Sequence, residues 1–399
     1  DGVLTIYDST VSSTGKNSNG TIWLKNGICN IHGGNYSAGV FSCIAQSGGT
    51  LNIYDGNFTT GGDQGGSVFV QEGGICDIKN GNFKANKKII TLFGGEYGST
   101  CNIENGNFIS QESNVLSVET DNYYNRNATC NIENGTFRTL SSYLTVHNSS
   151  YNGGRSSFLN IHGGTFEGAG TVIGADEGSE TSIDEEKNQT VIRCIDGGDE
   201  SSPKVGIRGD RTSKVTIISC TIENAKHGIW LRKLRNGTAS VTLKNAEFNN
   251  NTNDIYLDAN QEITIEDTFI DTATVKCEDA DIDRQVTTQT DSHYQKDLKL
   301  VSNNPECIID YKKNDDETEY RYLSAHENGK YYVNPIHATM AVGATEMRPY
   351  TQFEPGTKVT LNAFPAEEGK VLTGWKVEKI ASPKSDVVSN AGLIDYDPE

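Results

Sequence analysis

The residues that could do chemistry fall into a few groups. The densest is Asp254, Asp258, Glu266 and Asp267, with His227, Trp230 and Tyr256 in neighbouring stretches. Glycoside hydrolysis needs two carboxylates about 5–10 Å apart, one giving a proton and one attacking or activating water. Asp254 and Asp258 are the candidate carboxylates, and His227 the candidate proton carrier. Glu104 and Glu133 occupy one place in successive copies of a repeat, so they too fall near each other. That column also holds His32, Tyr54, Lys79 and His162, the mark of a freely varying exposed row. Asp176, Glu177 and Glu180, and Asp279, Asp281 and Asp283, are acidic enough to attract calcium. They lack the ligand spacing of a calcium loop and read as solvated charge, so no metal or other cofactor is assigned. Arg208, Arg211 and Arg232 could serve as lyase bases, but no surrounding motif supports this. No Ser/His/Asp set, phosphate loop or Cys-x-x-Cys is present.

A second kind of chemistry is recognition. Tyr123, Tyr124 and Tyr151 sit in polar stretches, and Trp230 and Tyr256 in apolar ones. Aromatic faces stack on sugar rings, so these five are the candidate ligand-binding residues for a polysaccharide. The competing reading places Trp23, Trp230 and Tyr256 as strand residues packed in or under loops.

What must position all of these is a repeat. The stretch Asn102–Phe108 (NIENGNF) recurs from Asn30, Asn52, Asp77, Asn131 and Asn160, at spacings of 22, 25, 25, 29 and 29 residues. Such periods mark solenoids, whose units bury apolar surface only by stacking on their neighbours. Just before each copy stands Cys29, Leu51, Cys76, Cys101, Cys130 or Leu159. These alternate with the Asn and then the Ile, so the stretch is a strand with Cys/Leu and Ile inward. The following pair, such as Asn105-Gly106, accepts positive φ and makes a bend. An aromatic then turns inward: Tyr36, Phe58, Phe83, Phe108, Phe137 or Phe166. A second apolar strand precedes each copy, as in Ile89–Leu92 and Val115–Val118. Two strands and a sharp bend without helix describe one coil of a parallel β-helix.

Past residue 170 the repeat loosens. Thr171–Ile173 fits the first strand of a coil, an acidic insert follows, and Val191–Cys194 resumes the second. Val215-Thr216-Ile217, Val241-Thr242-Leu243 and Ile263-Thr264-Ile265 then align, with Ile222, Phe248 and Ile270 inward after the bend. Anchors at positions 4, 29, 51, 76, 101, 130, 159, 191, 215, 241 and 263 give about eleven coils. The polar residues 279–297 close the coil end, which would otherwise leave strand edges unpaired.

Composition agrees: among 399 residues there are 42 Gly, only 8 Pro and 2 Met, and the formal charge is −19. That charge repels nucleic acid and anionic membranes as partners, and no apolar run is long enough for a membrane span. Nine cysteines suggest disulfides, but Cys and Leu interchange at one core position, which favours a ladder of reduced, buried thiols. The chain opens inside a coil, since Leu4 lies 25 residues before Cys29, and reads as part of a longer surface protein.

The stretches VTIISCTIENAKHGIWL and VTLKNAEFNNNTNDIYL resemble the right-handed parallel β-helix repeats of the pectate-lyase-like superfamily. The NIENGNF units resemble coils of adhesin-like surface proteins of anaerobic gut bacteria. Pro355–Pro365 (PGTKVTLNAFP), with Gly369 and Thr373-Gly374-Trp375, resembles the divergent internalin-type B-repeat, a small β-grasp-like module of Gram-positive cell surfaces. The expected layout is an all-β chain: a parallel β-helix over 1–285, a connecting β-rich segment over 286–330, and a B-repeat-like module over 331–399. The resemblances imply an extracellular, non-enzymatic adhesin or stalk that binds polysaccharide along its β-helix face. Two alternatives stay open: a polysaccharide lyase or glycoside hydrolase, and a surface filament self-associating through open coil ends.

Overall fold

The fold was analysed in a computed structural model. It describes residues 2–325, apart from 15–20, 40–41, 62–68, 72, 95–97, 121–125, 151–156, 186–187, 198–201, 235–236, 267–271, 291–299 and 305–306. Beyond 325 it describes strand segments at 331–332, 338–343, 345–347, 352–353, 357–363, 375–376 and 393–394. All named elements are strands, and up to Ser302 they build two long parallel sheets.

The wide sheet holds the repeat. Its levels pair in register, Leu4 with Cys29, Cys29 with Leu51 and Leu51 with Cys76, then on through Cys101, Cys130 and Leu159. The levels from Cys29 to Leu159 bend at a glycine with positive φ, as at Gly56 (142°), Gly81 (141°) and Gly106 (144°). A side chain at Gly106 would also meet the Phe108 ring at 2.8 Å, so the bend and the aromatic column both exclude one. Past the bend, Tyr36, Phe58, Phe83, Phe108, Phe137 and Phe166 stack face to face inside the solenoid. Their ring centroids lie 4.7–4.9 Å apart, the natural spacing of paired strands. On the outer surface the Asn column forms an amide ladder. Asn131 donates to Asn102 and Asn160 to Asn131, both at 2.8 Å.

The expected parallel β-solenoid holds, and one anchor moves. The anchor after Leu159 is Thr181, not Val191: Leu159 pairs with Thr181, and Thr181 with Val215. Val191–Cys194 lies in the wide sheet beyond the bend, where Ile192 continues the aromatic column between Phe166 and Ile222. Thr171–Asp176 belongs instead to the narrow sheet, between Val146–Ser150 and Val205–Gly209. The assignment slipped because a small polar Thr took the Cys/Leu place inside an acidic stretch. Ile183, two residues on, keeps the inward position and is fully buried.

The narrow sheet stacks the second strands, from Ile22–Leu24 to Ala273–Cys277 and Leu300–Ser302. All nine cysteines are free and buried. Burial pushes the Cys43, Cys194 and Cys277 thiols up to about 12. They are therefore protonated small apolar groups, not nucleophiles.

The coil end is closed by more than a polar tail. Thr287 pairs with Ile263, and the next partner is the antiparallel hairpin Cys307–Lys313/Glu319–Ala325. Val286 N–H donates to Arg321 O (2.8 Å), and Leu323 N–H to Arg284 O (2.8 Å). Val286, Leu300, Cys307, Ile309 and Leu323 join the same apolar core, which therefore continues past residue 285. Farther on, Ala338–Val342 pairs antiparallel with Thr345–Met347 and Thr360–Ala363. Of the motif resembling a B-repeat, Pro355, Gly356, Phe364, Pro365, Gly369, Thr373 and Gly374 lie outside the described residues.

Candidate functional site on the narrow sheet

Three strands position the candidate residues: Val205–Gly209, His227–Leu231 and Asn253–Leu257. Alternation sends Ile207, Ile229 and Ile255 inward, and turns Arg208, Trp230 and Tyr256 outward in one register column. Trp230 and Tyr256 meet edge to face at 5.9 Å and 86°. The His227 ring lies 4.3 Å from Tyr256 and 5.5 Å from Trp230. The fold therefore brings His227, Trp230 and Tyr256 together as the sequence reading anticipated. Tyr123, Tyr124 and Tyr151 lie outside the described residues. Trp23, read as a packed strand residue, is 51% exposed, with Lys25 Nζ 4.3 Å over its ring.

The two candidate carboxylates share no partner. Asp254 Oδ2 accepts the Thr274 N–H and Oγ–H, both at 2.9 Å, and Oδ1 accepts the Asn251 amide at 3.1 Å. Asp258 Oδ1 accepts the Trp230 indole N–H at 2.7 Å, and Oδ2 the Lys233 N–H at 2.9 Å. Asp254 therefore ties one coil to the next, and Asp258 clamps the indole. His227 is buried, and Asn253 donates an amide N–H to its Nδ1 (3.1 Å). Desolvation pushes its pKa down to about 4, so near pH 7 the imidazole is neutral. Burial also raises the Asp254 carboxyl above its ordinary value, against the pull of its hydrogen bonds.

The sequence reading set Arg208 and Arg232 aside singly and missed Asp210, which joins them. Asp210 is 2% exposed, with Oδ2 2.9 Å from Arg208 Nε and 3.4 Å from Arg232 Nη1. Its burial raises its pKa, and the two guanidinium groups oppose that shift. Arg232 also lies 5.3 Å over the Trp230 ring. The register neighbour of Arg208 on the preceding level is Gly174, over which Leu144 folds. The signal was available: Arg208 falls in register with Trp230, and Asp210 and Arg232 each stand two residues farther along.

The other acidic groups are mostly paired on the solenoid wall. Arg211 holds Asp176 and Glu177, Lys214 lies 3.5 Å from Glu180, and Lys244 3.1 Å from Glu266. Glu104 pairs with Lys79, and His162 Nδ1 lies 3.0 Å from Asp184. Asp279 pairs with Arg284, and Asp267 lies outside the described residues. Among the described residues, no three His, Cys, Asp or Glu side chains are grouped to hold a metal ion. What the narrow sheet offers chemically is an aromatic platform edged by two guanidinium groups joined through Asp210 and by the clamped carboxylate of Asp258. No family model matches this chain, and neither the curated proteins nor the solved structures compared with it include a similar one.

Proposed function

We propose that this chain is a non-catalytic stalk or adhesin-type scaffold at a cell surface, and that its Trp230/Tyr256 platform binds an extended neutral glycan. One observation supports this above the rest. Asp254 and Asp258 each spend both oxygens on structural donors, and those donors differ. A glycosidase needs two carboxylates that converge on one sugar and remain free to exchange protons with it. The Asp258–indole bond and the Arg232 contact hold Trp230 in a fixed orientation, which suits stacking on a pyranose ring. Placement outside the cell rests on the resemblance of the repeats and of the tail to surface-protein modules.

Binding of neutral polysaccharides, followed by glycan array and calorimetry, tests this reading alongside product assays on the same substrates. Trp230→Ala abolishes binding, and no substrate is turned over. Turnover lost in both Asp254→Asn and Asp258→Asn would replace the scaffold reading with a hydrolase or lyase.

A further inference from the structure

We propose that a second, separate site on the opposite sheet's margin captures an anionic sugar residue at a glycan end, through the Arg126 guanidinium. An open cleft of about 400 Å³ has Ile75, Ser99, Thr100, Arg126, Asn127 and Thr129 among its lining residues. It spans three successive levels, since Ile75 pairs with Thr100 and Thr100 with Thr129. At about 4.8 Å per level, its height fits one or two pyranose rings and not a long chain.

The chemistry of the lining selects the ligand. Most basic groups of the solenoid wall are matched by a carboxylate, as Lys79, Lys87, Arg138, Arg193, Arg211, Lys214 and Lys244 are. Arg126 is exposed and has no hydrogen-bond or ion-pair partner among the described residues. Against a net charge of −19, this guanidinium faces an open cleft with no carboxylate partner among the described residues. A planar carboxylate matches a guanidinium fork through two parallel N–H···O bonds.

The backbone that presents this cation is fixed. A side chain on Gly94 would meet the Arg126 carbonyl oxygen at 2.0 Å, so the glycine admits that carbonyl against the coil below. Asn127 O in turn accepts the Ser99 N–H at 3.2 Å. Thr129, outward on the level next to Thr100, supplies a hydroxyl for a ring oxygen. Ile75, 47% exposed, gives an apolar patch for the carbon face of a sugar. Cation, hydroxyl and apolar patch together describe the terminal uronic or sialic acid of a saccharide.

This site does not depend on the Trp230 platform, and its test is separable from that reading. Saturation-transfer NMR and calorimetry are run on the full chain with glucuronate, N-acetylneuraminate, the methyl ester of glucuronate, and glucose. The acids bind, and esterification weakens binding about tenfold or more. Arg126→Gln gives the same loss for the acids and leaves the melting curve unchanged, whereas Arg126→Lys restores part of the affinity. Trp230→Ala leaves acid binding intact. Equal binding of glucuronate and its ester, no binding of either acid, or wild-type affinity in Arg126→Gln each overturns the proposal.

Discussion

Replacing Phe108 by Ala tests the physical basis of the solenoid. Phe108 is fully buried, and its ring lies between Phe83 and Phe137, each 4.7 Å away and tilted 12° and 7°. Truncating a buried Phe costs about 3–5 kcal/mol from lost transfer energy and the cavity left behind. Both ring faces are covered, and each stacked pair is worth about 0.5–1.5 kcal/mol beyond area burial, so the upper part of that range applies, about 4–5 kcal/mol. Phe108→Leu keeps most of the volume and costs about 1–2 kcal/mol. Urea melts followed by circular dichroism give the totals, and amide exchange gives the location. Stability in a stacked array is a sum of local and neighbour contributions. Protection therefore falls at Asn107–Ser110 and its partners Asn82–Ala85 and Thr136–Thr139, and holds at Ser240–Leu243. A loss below about 1 kcal/mol, or protection lost evenly along the chain, would refute a core built from a stacked aromatic column.

Asn131→Ala removes a donor to Asn102 and an acceptor from Asn160, and lowers stability by about 1–3 kcal/mol in the same melts, while Asn131→Asp keeps only the acceptor and recovers part of it. Gly106→Ala forces a side chain onto φ 144° and against Phe108, and costs about 1–3 kcal/mol; a Gly2→Ala control, with open space around it, is near neutral. His227 is held neutral, its pKa down from 6.5 to about 4, so the fold binds fewer protons than the unfolded chain between those values. Its contribution is complete above pH 6.5 and is lost as pH falls towards 4; His227→Gln flattens this part of the acid profile, read as urea midpoints against pH. Ellman's reagent finds no reactive thiol in the native chain and nine after unfolding in urea; native reaction at Cys101 or Cys130 would contradict their burial.

The periodic half of the molecule could be read almost completely from the chain because each column writes the same physical demand many times. Cys/Leu, Ile and Phe at fixed offsets mean an inward ladder, Asn an outward one, and Gly a bend. Legibility ended where one column held a residue allowed by local packing but absent from the pattern. Thr181 is such a residue: a single turn accepts a small hydroxyl in the core, so the anchor was sought ten residues later, at Val191. The narrow-sheet platform was half legible. Trp230 and Tyr256 share a register place, so their meeting follows from pairing alone, whereas His227 pairs with Asn253 and reaches both rings from the buried end of its strand. The Asp210 pairing does not, because it depends on where the Arg208 and Arg232 side chains turn from two successive strands. Composition could not reveal whether Asp254 and Asp258 were free, since their partners Thr274, Asn251 and Lys233 are ordinary polar residues.

Where a column is uniform, its side chains already satisfy one another, and no valence remains for a ligand. Asn102, Asn131 and Asn160 spend their amides along the ladder, and Glu167 lies between Arg138 and Arg193. A solenoid of this kind can therefore carry recognition only where a column breaks. At Gly174 the column loses its side chain and Leu144 fills the gap; on the next level Arg208 lies beside Asp210, and Arg232 and Asp258 fix the indole of Trp230. At Arg126 the break is electrostatic, a cation without a carboxylate partner among the described residues. Moving a partner into reach tests the principle at that second break. Thr100→Glu places a carboxylate one level from Thr129, beside Arg126, and makes the wall uniform again. Stability changes by less than about 1 kcal/mol, as for other exposed ion pairs, while binding of acidic sugars at the cleft disappears. If Thr100→Glu bound glucuronate as well as the parent chain, the free guanidinium would not be what the cleft offers.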